Sequence, residues 1–121
     1  MKLKNKIICF DLDNTLCTTE SNFYNKSKPK KNNIKIVNEL YDNGYYIKIF
    51  TARYMSRSKE NPEKAKKRGY NQARKQLDSW NLKYHELIFG KPSFDLYIDD
   101  KSLFYLKSWS SKLKKLLLKD E

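Results

Sequence analysis

An α/β fold with a mainly parallel sheet is predicted by two features of the sequence. Short apolar segments alternate with helical patterns, and acidic or hydroxyl side chains follow the apolar segments. The first apolar run, Ile7 to Phe10, has the length of a buried strand and leads into Asp11-Leu12-Asp13-Asn14-Thr15. A chain of 121 residues buries one modest core, so we expect a single domain over residues 1–121 with Lys6 to Leu12 as its central strand.

The elements after the first strand alternate between helix and strand. A polar stretch from Cys17 to Asn33 predicts a long loop, and apolar residues at helical or alternating spacing predict the segments beyond it. In order these are a helix from Asn32 or Asn33 to Gly44, a strand at Tyr45–Phe50, a short helix at Pro62, a helix from Tyr70 to Trp80, strands at Glu86–Phe89 and Asp95–Ile98, and a helix after Ser102.

Polar side chains that carry phosphate chemistry follow the four predicted strands. They are, in order, Asp11 with Asp13, then Thr51, Lys91, and Asp99 with Asp100. Ligands of an open parallel sheet bind outside the carboxyl ends of its strands, so these side chains are expected to meet there. Acidic groups without a nearby His or Cys favour Mg²⁺, and a carboxylate can attack phosphorus while a Lys and a Thr offset the phosphoryl charge.

These residues resemble the four ordered motifs of the haloacid dehalogenase superfamily of phosphohydrolases, and the similarity spans residues 7 to 100. The resemblance implies that Asp11 is the nucleophile and Asp13 the general acid and base. It also implies a three-layer α/β/α Rossmann-like fold with strand order 3-2-1-4 and no large cap domain.

The resemblance further implies which residues bind substrate and metal. The substrate-binding residues are Thr51, Ala52, Arg53 and Lys91, although Arg53 either contacts substrate or faces solvent. The residues that hold Mg²⁺ are Asp11, Asp13, Asp99 and Asp100.

A closer similarity is to small capsule-biosynthesis and sugar-phosphate phosphatases of that superfamily. It lies in FDLDNTL from Phe10, TAR from Thr51, GKP from Gly90 and YIDDK from Tyr97. Asn14 replaces the usual Gly, and Asn tolerates the same left-handed turn. The implied substrate is a small phosphorylated sugar or polyol of surface-polysaccharide metabolism.

The net charge of +12, from 26 Lys and Arg against 14 Asp and Glu, favours anionic ligands or reflects a low-GC genome. It leaves open a nucleotide or polynucleotide end phosphatase and a non-catalytic anion-binding protein. No segment has the length of a membrane span or a signal-peptide core, so we expect a cytosolic protein with two reduced thiols, Cys9 in the core and Cys17 near the site. The sequence leaves open the oligomeric state and whether a partner subunit covers the site.

Overall fold

The computed structural model describes residues 6–103 and 108–118. Its elements in chain order are β1 (Ile7–Asp11), β2 (Cys17–Thr18), β3 (Lys28–Pro29), α1 (Lys31–Asp42), β4 (Tyr46–Thr51), α2 (Pro62–Ser79), β5 (Glu86–Phe89) and α3 (Trp109–Leu117). The strands of the main sheet, β1, β4 and β5, alternate with helices along the chain, which confirms the predicted α/β class.

A parallel sheet with the strand order β1-β4-β5 forms the centre of the fold. Phe10 of β1 lies opposite Ile49 of β4, and Ile49 lies opposite Leu87 of β5. All three side chains are buried, because paired residues of adjacent strands point to the same face of a sheet. The alternation predicted for the second strand is confirmed, since Ile47 and Ile49 are both fully buried.

The described helices cover this apolar face. α1 contributes Ile34, Val37 and Leu40 to the core, α2 packs along β5, and the Trp109 ring at the start of α3 lies 6.0 Å from the Phe10 ring. Two parallel crossovers that step in the same direction across a sheet place their helices on the same side, which accounts for α1 and α2.

α2 is a single helix of 18 residues, although the sequence predicted two shorter ones. Its start is as predicted: the Asn61 side chain accepts a hydrogen bond from the Lys64 N–H at 3.1 Å, and Pro62 occupies the first turn. Ala65, Gly69, Ala73 and Leu77 then recur every four residues and form its buried stripe. This small-residue stripe continues across the predicted break, and therefore one helix forms.

The long loop predicted from Cys17 to Asn33 contains local structure. β2 and β3 pair antiparallel, with Cys17 opposite Pro29, and a 3₁₀ turn at Tyr24–Lys26 lies between them. α1 begins at Lys31, directly after β3, so neither Asn32 nor Asn33 caps it. This two-stranded ribbon is the insertion between β1 and α1, and no separate cap domain is found in residues 6–103 and 108–118.

The predicted fourth strand is wrong in this structure. Asp95–Ile98 forms no strand, Leu96 and Ile98 are 78% and 86% exposed, and β1 is left as an edge of the described sheet. The order of the first three predicted strands agrees with 3-2-1, but the full order 3-2-1-4 is not confirmed. Four residues cannot form a strand by themselves, because their backbone hydrogen bonds must come from a neighbouring edge.

Side chains of β1 and β4 lie exposed on the opposite face of the sheet. Ile7, Cys9 and Tyr46 point to that face and are exposed, and no helix within the described parts of the chain covers them. Cys9 is thus exposed, so its predicted place in the core is wrong, while Cys17 is buried.

The last helix is described only from Trp109, so a start at Ser102 is not seen, and residues 104–107 lie outside the described residues. Trp109, Leu113 and Leu117 are buried and form its inner face. None of the helices described here combines the length and the apolar character that a membrane span requires.

Candidate active site

Asp11 is the last residue of β1 and lies at the carboxyl end of the sheet. Its Oδ1 is 3.0 Å from the Lys91 Nζ, and its Oδ2 accepts a hydrogen bond of 3.0 Å from the Thr15 hydroxyl. The chain turns directly after it, since the Leu16 N–H donates to the Leu12 carbonyl and Asn14 has a φ of 64°. The left-handed conformation expected of Asn14 is therefore present. The Asp11 side chain keeps 34% of its surface exposed, enough for a ligand to reach it.

Lys91 approaches Asp11 because the backbone before it is fixed. The Thr51 carbonyl accepts from the Gly90 and Lys91 N–H groups at 3.3 and 3.1 Å, which ties the chain after β5 to the end of β4. The Lys91 Nζ also lies 5.3 Å from the ring centroids of both Phe94 and Tyr97. These contacts place an ammonium group beside the carboxylate of Asp11, 80 residues away in sequence.

Thr51 ends β4 and is fully buried. Its hydroxyl oxygen accepts a hydrogen bond of 3.1 Å from the backbone N–H of Arg53, so the hydroxyl proton remains available for donation. Ala52, between them, is half-buried. Backbone hydrogen bonds thus join Thr51 to Lys91 at the ends of β4 and β5, and Ala52 follows Thr51 in the chain.

Asp13 is held by a buried guanidinium. The Arg53 Nε lies 3.0 Å from Asp13 Oδ2, and the Arg53 Nη2 lies 2.9 Å from Oδ1, an arrangement in which two N–H groups contact both carboxylate oxygens. The Thr19 hydroxyl donates to the same Oδ1 at 2.6 Å. Arg53 is only 1% exposed, so it does not face solvent.

Cys17 lies beside this carboxylate, with its Sγ 3.6 Å from Asp13 Oδ1. Burial raises the pKa of the Cys17 thiol, which keeps it protonated near neutral pH. A protonated, buried thiol packs and donates weakly, so Cys17 supports the ribbon and is no candidate nucleophile.

Asp99 and Asp100 are not brought to Asp11 and Asp13. Both are exposed, and the Lys101 N–H donates to Asp99 Oδ1 at 3.1 Å. This backbone hydrogen bond is the main cause that lowers the pKa of Asp99, and a hydrogen bond with the Asp100 side chain is the second. No three His, Cys, Asp or Glu side chains of residues 6–103 and 108–118 are grouped so that they could hold a metal ion.

Three neighbours of the two central carboxylates were not predicted as site residues. Thr15 contacts Asp11, while Thr19 and Ser27 belong to the hydrogen bonds around Asp13. Thr15 could have been found, because it completes the acidic motif at β1. Thr19 and Ser27 lie in a polar loop without any pattern, and only the pairing of β2 with β3 brings them to Asp13.

Comparisons with known proteins agree with this architecture. The profile of the haloacid dehalogenase-like hydrolase family matches residues 8–71, more than half of the chain. The matched part includes Asp11, Asp13 and Thr51, whereas Lys91, Asp99 and Asp100 lie beyond it. No curated protein matches the sequence.

A crystal structure of a protein from Vibrio cholerae is similar in fold. It superposes with a TM-score of 0.76 at 26% sequence identity, over 92% of this chain and 98% of that chain. With the profile match and the carboxylates at the end of β1, this shows that the chain belongs to the haloacid dehalogenase-like hydrolases.

Proposed function

We propose that this hydrolase cleaves phosphate monoesters through an aspartyl phosphate on Asp11. The observation that carries the proposal is the Lys91 ammonium 3.0 Å from Asp11 Oδ1. A carboxylate and a phosphate repel each other, and a cation that contacts the carboxylate offsets this repulsion as the two approach. The partial exposure of Asp11 gives the substrate access to it.

The reaction then has two steps. In the first, an Asp11 oxygen forms a bond to phosphorus, the bond to the leaving oxygen breaks, and Asp13 gives a proton to that oxygen. In the second, Asp13 takes a proton from water, the water oxygen attacks phosphorus, and inorganic phosphate leaves as the Asp11 carboxylate is restored. Thr51, the Ala52 backbone and Lys91 hold the phosphoryl group in both steps.

Mg²⁺ is the cofactor that the donor chemistry favours, because Asp11 and Asp13 offer only oxygen ligands. Mg²⁺ in such sites is often held by one or two carboxylates together with water and substrate oxygens. When bound, it would offset negative charge on the phosphoryl group. Asp99 and Asp100 would join the set only if residues 95–98 paired with the open edge of β1, which is not the arrangement described above.

For the substrate we propose a small phosphorylated sugar or polyol of surface-polysaccharide metabolism. The support is the similarity of the segments at Phe10, Thr51, Gly90 and Tyr97 to capsule-biosynthesis and sugar-phosphate phosphatases. A protein in the cytosol would meet such substrates.

A second candidate, a phosphatase of nucleotide or polynucleotide ends, is favoured by a cluster of aromatic and basic side chains near Asp13. The Arg57 guanidinium lies 4.8 Å from the Tyr54 ring and 5.6 Å from the Tyr24 ring, and Tyr24 in turn contacts Arg53. Phe23 beside them is 59% exposed, with the Lys26 Nζ 5.9 Å from its ring. Exposed rings next to cations bind bases and phosphates of single strands.

Asp11→Asn tests the reaction. The variant should lose turnover of 4-nitrophenyl phosphate while its circular dichroism and thermal unfolding match the parent protein, because an amide is a poor nucleophile of the same shape. Asp42→Asn is the matched control, since Asp42 pairs with exposed Lys83 on the surface. An active Asp11→Asn protein would exclude the aspartyl phosphate, and full activity in EDTA would exclude the Mg²⁺ role.

Salt dependence separates the two substrates. We expect turnover of sugar and polyol phosphates that changes little between low and moderate salt, because one phosphate releases few counterions. Higher activity on 3′- or 5′-phosphorylated oligonucleotides, with a steep loss as salt rises, would instead identify the second candidate.

A further inference from the structure

Arg53 makes a contact whose geometry differs from that of a substrate-binding residue. Its Nε and Nη2 groups are both directed at Asp13, with the shortest distances 3.0 and 2.9 Å, and its side chain is fully buried. The Tyr24 ring covers the guanidinium at 4.9 Å. Two of the three guanidinium nitrogens are therefore engaged by the carboxylate, and solvent does not reach the group.

A directed set of hydrogen bonds completes the contact. The Thr19 hydroxyl donates its single proton to Asp13 Oδ1 at 2.6 Å, so its oxygen accepts from the Ser27 hydroxyl, which is also 2.6 Å away. Ser27 in turn accepts from the Arg53 Nη2 at 3.3 Å. These hydrogen bonds run in one direction, from Arg53 through Ser27 and Thr19 to Asp13, and they hold the Asp13 carboxylate in one orientation.

Resting on the function proposed above, we propose that Arg53 is a positioning residue which, with Thr19, orients the Asp13 carboxylate to take a proton from water in the second step. Both carboxylate oxygens of Asp13 accept hydrogen bonds from Arg53, so the guanidinium fixes the direction in which the carboxylate points. Arg53 also donates its backbone N–H to the Thr51 hydroxyl, so the same residue links the base to the phosphoryl-binding end of β4.

A role for Arg53 in binding the phosphoryl group is the competing explanation. Its Nη1 is buried and has no hydrogen-bond partner among the described residues, so it could serve a substrate oxygen. The two roles predict different effects: loss of a phosphoryl-binding residue slows attack by Asp11 as well as the later hydrolysis, whereas loss of a positioning residue slows only hydrolysis of the aspartyl phosphate.

Burst kinetics with 4-nitrophenyl phosphate separate these steps, because 4-nitrophenolate leaves without a proton from Asp13. Arg53→Lys keeps the charge but cannot contact both carboxylate oxygens. We expect its steady-state kcat to fall by at least about tenfold, which is less than the loss expected when a general base is removed altogether. The burst of 4-nitrophenol should keep its rate constant and approach one equivalent of enzyme.

Thr19→Val removes one donor to Asp13 without disturbing Arg53, and it should give the same pattern if Arg53→Lys unfolds. Arg74→Lys, an exposed change on α2, is the control and should leave both phases unchanged. A burst slowed as much as the steady state, no burst at all, or an unchanged kcat in both variants would overturn the proposal.

Asp13→Asn adds a second criterion. Arg53→Lys should cause no further loss in that background, because residues that act as one unit are not additive; an additive loss would contradict the positioning role. Activity in Asp11→Asn would refute the aspartyl-phosphate function itself, whereas an inactive Asp11→Asn with a slowed burst in Arg53→Lys refutes only the role of Arg53.

Discussion

Gly69, in the middle of α2, is the position where adding a single methyl group should change the stability of the protein through a direct clash. A Cβ built there would lie 2.5 Å from Tyr54 Cδ2 and 3.1 Å from Phe89 Cε2, closer than packed carbon atoms approach. The Tyr54 ring is half-buried, and it packs against the Tyr24 ring at 5.0 Å. Gly69→Ala therefore pushes on the aromatic cluster next to Arg53.

Two opposed free-energy terms set the effect of Gly69→Ala on stability. Overpacking costs about 1–3 kcal/mol, while replacing a helical Gly by Ala stabilises by about 1 kcal/mol. The net expectation is a loss of about 0–2 kcal/mol in the free energy of unfolding, and each kcal/mol corresponds to about 3–6 °C in Tm for a domain of this size.

Urea unfolding of four proteins measures the clash separately from helix propensity: the parent, Gly69→Ala, Tyr54→Leu and the double variant. The two substitutions should be coupled, with Gly69→Ala less harmful once the ring is gone. Asn71→Ala, at an exposed position of the same helix, is the control and should stabilise by about 0.5 kcal/mol. If Gly69→Ala instead stabilised the protein by the full ~1 kcal/mol that helix propensity provides, the close approach of Tyr54 would be refuted.

Two further outcomes follow from the contacts described. Lys91→Ala should lower kcat for an aryl phosphate by about 10²–10³-fold, because it removes a cation at the reacting group. Lys83→Ala, on the surface, should leave kcat unchanged. Equal kcat values in the parent and Lys91→Ala would contradict the role given to Lys91. Burial, together with the Asp78 carboxylate 3.2 Å away, raises the pKa of Tyr84 to about 12 from an ordinary value of 10.0. The stability this shift contributes is present below pH 10 and is lost as the pH rises toward 12, so Tyr84→Phe should flatten the fall in Tm between pH 10 and 12; the same fall in both proteins would refute it.

Local signals predicted much of the fold. The bounds of β5 are those expected from the apolar run Glu86–Phe89, and the start of α2 at Pro62 follows from its Asn61 cap. These features depend on a few neighbouring residues, so a sequence pattern is sufficient to find them. The two-residue strands β2 and β3 have no such pattern, because they exist only through their pairing with each other.

At Asp95–Ile98, by contrast, the sequence has a strand pattern but no strand forms. Its composition is that of a strand, yet Phe94 and Tyr97 pack near Lys91 and the segment pairs with no strand of the described chain. Whether a short apolar segment becomes a strand depends on the free energy of pairing with an edge, which is a property of the assembled sheet.

The sequence by itself determined the α/β class, the similarity to the haloacid dehalogenase superfamily and the order of the polar residues at the strand ends. The tertiary structure decided which partner each carboxylate has: Asp11 pairs with Lys91 across 80 residues, and Asp13 pairs with Arg53 across 40. Periodicity reports which face of a strand or helix a residue occupies. It contains no information about which distant side chains meet, because that depends on the register of the strands and on the rotamers selected by packing.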